Sequence, residues 1–400
     1  MKSKAILVEE PKRQAKPGQA PFALWSLGFR PFYLLASIFA ALSIPLWVCQ
    51  YAGYLPAVYV RNLVWHGHEM LFGYTLAVLT GFLFTAVRNW TSQPTPTGAT
   101  LVAFAVLWVA GRILVLTPYD IAAALVNAAF PVAVAVGIGI PLAKSGNRRN
   151  YFFIVLLLLF ALATLALHLS YLRILDWPEL ASLQAGLDLV LLIMVAISGR
   201  VIPMFTNNGV PGVQATRHAL IEKLALGSVL ALLVADLFQA SGGLLAVIAL
   251  LAAMAHAARL YLWQPWRTLR APLVWVLHAA YCWIVVYLVL RGLAAFGLVP
   301  EPLAVHGLTM GAIGGMTMGM MMRTARGHTG RPLKTDRFEV ACFLLVITAA
   351  IIRVFGGMIL AGAYVATVIA SGICWSGGFA LFAIRYWPVL SRARIDGKPE

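Results

Sequence analysis

Apolar runs of about twenty residues alternate with short polar breaks along nearly the whole chain. A helix of that length matches the hydrocarbon thickness of a bilayer. Twelve such runs can be placed, at roughly 31–51, 65–87, 98–117, 121–142, 151–172, 180–205, 218–238, 244–263, 272–296, 303–324, 338–359 and 362–387. The pattern predicts an all-α polytopic membrane bundle of about 12 helices with short loops. No stretch is left for a soluble domain, and the longest inner loop reads "RTARGHTGRPLKTDRF". The first run is too long for the apolar core of a signal peptide, and no small-residue cleavage site ends it. The expected organisation is a cytoplasmic tail over residues 1–29, one transmembrane domain over 30–388, and a cytoplasmic tail over 389–400.

Charge orients the bundle. With the N-terminus inside, 25 of the 30 Lys and Arg fall at inner ends, and Arg61, Arg112, Arg173, Arg291 and Arg353 remain outside. The positive-inside rule then places both termini in the cytoplasm. A net charge of +16 would suggest nucleic acid in a soluble chain. Here helix-end basic residues account for it, so a lipid bilayer and no nucleic acid is the expected partner. Composition agrees, since a chain 61% hydrophobic and 11% charged would aggregate in water. Cys49, Cys282, Cys342 and Cys374 each lie inside an apolar run. Without CxxC or CxxCH, neither a zinc ribbon nor covalent haem attachment is indicated.

Topology sorts the eight histidines. His66, His68, His168 and His306 fall near the outer ends of spans two, five and ten, whereas His218, His256, His278 and His328 fall on the inner side. Histidines from several helices at one depth are what a metal or haem iron requires. On a regular helix His66 and His68 point about 200° apart, so one metal cannot take both. Glu69 and Met70 share a face with His66, and Thr309, Met310 and Thr317 share one with His306. A short echo relates His66-Gly67-x-x-Met70 to His306-Gly307-x-x-Met310, too short to establish a repeat. Glu69 is a candidate acceptor from a ligating histidine or a proton carrier; an interfacial Glu acting on the helix dipole is the bland alternative.

Asp188 stands alone inside span six, so it is expected to be protonated, paired or beside water, and is a second candidate for proton chemistry. Arg61, Arg291 and Arg353 lie at the depth of the outer histidines and could pair with haem propionates, or simply snorkel. The methionines of "MGAIGGMTMGMMMR" spread around their helix and read as packing, with Met310 kept as a candidate copper ligand. On the inner side, "GRVIPMFTNNG" and "ARGHTGRPL" are unusually specific, and Pro203 is expected to break or kink the end of span six. No phosphate-cradling loop, HExxH or GxSxG occurs.

"WHGHEMLFGYTLAVLTGFLFTAVRNWT", "GRVIPMFTNNG" and "HGLTMGAIGGMTMGMMMRTARGHTGRPL" together resemble the NnrS family of bacterial membrane proteins. The resemblance runs from Leu24 to the end of span eleven; at Arg88-Asn89-Trp90 a smaller residue would be expected before Asn. It implies a twelve-span protein of the bacterial inner (cytoplasmic) membrane that contains haem and copper, with a link to nitric oxide metabolism or to protection against nitrosative stress. It carries over His66, His68, His306 and His328 without saying which bind metal.

The favoured expectation is haem b held non-covalently by His306 with His66 or His168, its propionates outward. Copper or a second ligand set would use His68 and Met310, and Glu69 would handle protons. A membrane or periplasmic electron donor and nitric oxide are the expected partners. A haem-copper nitric oxide reductase is the first alternative, weakened by the absence of an adjacent His-His pair. A twelve-span secondary transporter is the second, with Asp188 as its coupling residue.

Overall fold

The computed structural model describes residues 22–54 and 59–398. Most of the tail expected over residues 1–29 lies outside them. Twelve helices follow one another: α1 (Phe29–Tyr51), α2 (Asn62–Thr91), α3 (Gly98–Leu114), α4 (Asp120–Lys144), α5 (Phe152–Tyr171), α6 (Glu179–Gly209), α7 (Ala219–Leu237), α8 (Gly242–Leu262), α9 (Pro272–Ala295), α10 (residues 301–328), α11 (Arg337–Ile359) and α12 (Tyr364–Ser391). Among the described residues there is no strand beyond an isolated bridge between Phe22 and Arg392. Each helix coincides with one of the apolar runs to within a few residues, and among the described residues nine are long and apolar enough to cross a bilayer. Of the others, α3 has 17 residues, short of the roughly 20 a span needs. The α7 helix carries Glu222, Lys223 and Asp236, and α10 ends in a polar turn with Arg323, Arg326 and His328.

The outward faces are apolar. Leu125, Leu162, Ile373 and Ile384 are among the exposed side chains, the last at 75%. Water would not tolerate such a surface, and hydrocarbon does. The protein is an all-helical, multi-pass membrane bundle. Consecutive helices pack against each other, and α12 returns to pack on α1. That seam is tied by Ala23 N–H on Ser391 O at 2.8 Å, the Arg30 guanidinium on Leu390 O at 2.9 Å and Arg392 O at 2.7 Å, and Trp375 Nε1 on Ala40 O at 3.1 Å.

The α2 helix lies inside the bundle, with 89% of its most apolar window buried. It meets α10 through Tyr74 Oη and Thr317 Oγ1 at 2.5 Å. These two helices share a backbone irregularity. In α2 a π-helical segment follows His68, over Glu69–Thr75; in α10 one follows His306, over Gly307–Gly314. Ser43 of α1 donates to Met70 Sδ at 3.9 Å, and Ser371 of α12 donates to Met310 Sδ at 3.9 Å. The short sequence echo is therefore a repeat of backbone and contacts as well as of letters. A π segment widens one turn and re-aims the side chains on it, and such segments recur at functional sites.

One expectation about the opposite end is corrected. The α6 helix does not end at Pro203 but continues to Gly209. Membrane helices tolerate proline because neighbouring groups re-satisfy the freed backbone. Asn207 then pins the following loop, accepting from Ala215 N–H at 2.7 Å and donating to Ala215 O at 3.1 Å.

Candidate functional site

Four histidines gather where α2 begins, and they do so as two pairs. His66 faces His306 of α10, with ring centres 6.4 Å apart and planes within 16° of parallel. His68 faces His168 of α5, with the two Nε2 atoms 3.2 Å apart. The spacing of about 200° expected on α2 thus separates the two imidazoles onto different partner helices. His306 Nδ1 donates to Pro302 O at 2.7 Å, which fixes its tautomer and leaves Nε2 with a lone pair. His66 stacks near Trp47 of α1 at 4.8 Å, and its Nδ1 is buried without a hydrogen-bond partner.

The second pair is held from behind at both rings. His68 Nδ1 donates to Glu69 Oε1 at 2.7 Å, so its Nε2 carries a lone pair aimed at His168. His168 Nδ1 lies 3.1 Å from Tyr59 Oη, and Tyr59 also reaches the His168 carbonyl at 3.5 Å. When Tyr59 gives its hydrogen to that carbonyl, His168 Nδ1 can donate to the phenol. Both Nε2 lone pairs then converge. Glu69 is completely buried, and Arg112 of α3 donates to the same Oε1 at 2.8 Å. Arg112 also bonds Asn127 of α4 and lies 5.7 Å from the Trp108 ring centre. Gly73 makes this possible, because a Cβ there would occupy the place of the Arg112 guanidinium.

The expectation that Glu69 sides with His66 is corrected by this geometry. Its hydrogen-bond partner is the adjacent His68, at 2.7 Å.

A family model described as NnrS protein matches residues 23–394. The chain belongs to the NnrS family. No curated protein matches it.

Haem and copper, the cofactors expected from the sequence of this NnrS-family chain, make different demands on the protein. Among the described residues no group of three or more His, Cys, Asp or Glu converges on one point, so no all-protein metal cage is present. A haem iron asks the protein for axial ligands only, and a histidine pair across two helices meets that demand. Two nitrogens bound to one tetrahedral ion at about 2.0–2.1 Å lie roughly 3.4 Å apart. The observed 3.2 Å between His68 and His168 is close to that spacing. The spacing of His68 and His168 is therefore compatible with a shared metal ion, and His66 and His306 present two imidazoles from different helices.

The remaining candidates separate. Arg353 lies in a π segment of α11, stacks over Tyr364 at 5.8 Å, and acts electrostatically on both His66 and His306. Arg61 is exposed at the start of α2. Arg291 belongs to a different cluster, pairing with Asp236 at 2.6 Å and Glu301 at 2.5 Å. Met310 meets Ser371, while His68 meets His168, so the expected His68–Met310 set is not assembled. Asp188 is fully buried in α6 and joins the Arg291 cluster.

Arg112, Asn127 and Tyr59 were not singled out from the sequence. Arg112 left a signal, as an arginine within an apolar run; a polar residue inside α4 was the only hint of Asn127. Residues of the inner motifs make packing and ion-pair contacts. Gly199 admits the Arg259 guanidinium, which forks onto Glu222 at 3.0 and 2.5 Å and meets Tyr281 Oη at 3.1 Å. Arg326 pairs with Glu339 at 2.6 Å and holds Pro332 O at 2.7 Å. His256 bonds Tyr281, His278 bonds Thr206, and His328 packs on Phe29, so the inner histidines do not join the outer pairs.

Proposed function

We propose that this protein binds haem b and copper in the bacterial cytoplasmic membrane and acts on nitric oxide or its iron–nitrosyl products, with both termini in the cytoplasm. The observation that carries the reading is the arrangement of His66 with His306 and of His68 with His168, both around the start of α2. Family membership supplies the link to nitric oxide. His66 and His306 would hold the haem, with Arg353 beside a propionate. His68 and His168 would hold copper. A bound centre of this kind supplies a site for nitric oxide and a relay for electrons.

The chain's own groups do the rest. Glu69 fixes the tautomer of His68, and Tyr59 anchors His168; such outer partners orient a ligand and raise its basicity. Arg112 balances the charge of Glu69 where both side chains are buried. Glu69 also stands one hydrogen bond from the His68 ring, placed to take or return the proton at Nδ1.

The deciding experiment is a reduced-minus-oxidised absorption spectrum of the purified protein with iron and copper counted per chain. His66→Ala and His306→Ala should each abolish or shift the Soret band. His68→Ala and His168→Ala should remove copper and leave the haem spectrum in place. A Soret band indifferent to His66 and His306, or a copper content indifferent to His68 and His168, defeats the assignment.

A further inference from the structure

A second polar cluster lies in the same half of the bundle and touches none of the four histidines. It is built by α6, α7, α9 and α10. Arg291 is its one cation, forking from Asp236 Oδ1 at 2.6 Å to Glu301 Oε1 at 2.5 Å. Three carboxyl groups face that single guanidinium: Asp188, Asp236 and Glu301. The side chains of Asp236 and Arg291 are 7% and 6% exposed, Asp188 is fully buried, and Glu301 reaches solvent at 63%.

The hydrogen bonds constrain where a proton can sit. Gln184 Oε1 accepts from Arg291 at 3.5 Å, which sets the orientation of its amide. Its Nε2 then donates to Asp188 Oδ1 at 3.0 Å and to Asp236 Oδ2 at 3.3 Å, and lies 3.4 Å from Tyr287 Oη. One amide thus bridges both carboxyls. Asp188 Oδ2 remains buried with no donor to it. Its neighbour is Asp236, a second carboxyl held on the same Gln184 amide. Two ionised carboxylates offer only acceptors. A proton on Asp188 Oδ2 turns the contact into an O–H···O⁻ bond and satisfies the orphaned atom. With Glu301 in water, the buried part is then Asp188 neutral, Asp236 negative and Arg291 positive. Its net charge is zero, which is the condition for burying charges among membrane helices.

We infer that Asp188 and Asp236 form a proton-holding carboxyl pair that exchanges with the membrane surface through Glu301. The groups that face it are Gln184 on α6, Tyr287 and Arg291 on α9, and Glu301 at the start of α10. An arriving proton binds Glu301, passes to Asp236 and then to Asp188. Each transfer breaks one O–H bond and forms another, and Arg291 stays protonated throughout. The cluster differs by one charge between its loaded and empty states. The inference does not rest on the haem and copper reading.

Infrared spectroscopy of the reconstituted full-length protein tests it. The wild type should show a protonated-carboxyl C=O band at neutral pH that shifts down in D2O. Asp188→Asn should abolish the band, and Glu69→Gln should keep it. Asp236→Asn should move it, since the acceptor changes from an anion to an amide; this variant also serves if Asp188→Asn does not fold. Glu301→Gln should keep the band and slow its H/D exchange by roughly a hundredfold, the lower end of what a positioned proton carrier contributes. A wild type without the band, a band that survives Asp188→Asn, or exchange unchanged in Glu301→Gln overturns the proposal. The visible spectrum and metal content of the Asp188, Asp236 and Glu301 variants should match wild type, which separates this result from the fate of the cofactor assignment.

Discussion

Replacing Arg112 by Gln removes the only cation beside a completely buried carboxylate. Glu69 Oε1 takes hydrogen bonds from both His68 and Arg112, while Oε2 has no partner. After the substitution a single donor, His68, remains. Arg112 would also lose its bond to Asn127 and its stacking over Trp108 at 5.7 Å and Phe39 at 6.0 Å. The pair is 9% and 0% exposed, so the range for surface ion pairs does not apply. Removing one partner of a buried pair costs about 3–5 kcal/mol, which is roughly two to nearly four powers of ten in the folding equilibrium. Glu69→Gln with Arg112→Gln removes both charges, and the double variant should recover about 2 kcal/mol of the single-variant loss through the coupling of contacting sites. Equilibrium unfolding in mixed micelles measures all three chains. An Arg112→Gln protein within about 1 kcal/mol of wild type, the range of an exposed pair, would refute the reasoning, as would strict additivity in the cycle.

Gly73→Ala changes no charge but places a methyl group where the Arg112 guanidinium lies, so it should reproduce most of the Arg112→Gln loss in the same unfolding measurement. Gly199→Ala should act likewise on the Arg259–Glu222 pair, costing about 3 kcal/mol and exposing the α7–α8 region to limited proteolysis. Thr317→Val and Tyr74→Phe each delete the bond joining α2 to α10. Each should cost about 1 kcal/mol, and the double variant should cost little more than either alone.

Much of the fold was legible because the bilayer leaves a chain few options. Every backbone group must be satisfied within its own helix, so an apolar run such as 272–296 announces α9 almost to the residue. The histidines were legible by depth, and the divergence of His66 from His68 followed from helical geometry. Their partners were not. Which of His168 and His306 meets which imidazole depends on the order of helices around α2, and no periodicity encodes that order. Glu69 shares a helix face with His66, yet its hydrogen bond is to the adjacent His68, a contact that face periodicity does not encode. Arg112 served only to count charges at the outer face, although an arginine inside an apolar run needs a buried anion. Arg291 looked like a propionate partner at the right depth until Asp236 and Glu301 were seen to claim it.

The closed seam between α1 and α12 means that the order in which the helices are made is separable from the arrangement they adopt. Residues 22 and 392 are bridged to each other, so a short linker there would join the first helix to the last without crossing the bundle. The chain could then be opened at another loop, for example between α6 and α7. The two new ends, coming from one opened loop, would emerge together on one side. In such a permuted protein α10 would be synthesised before α2, and the two π segments would still meet. Recovery of the native visible spectrum from it would show that the histidine pairs are specified by packing, independent of the sequence of insertion into the membrane.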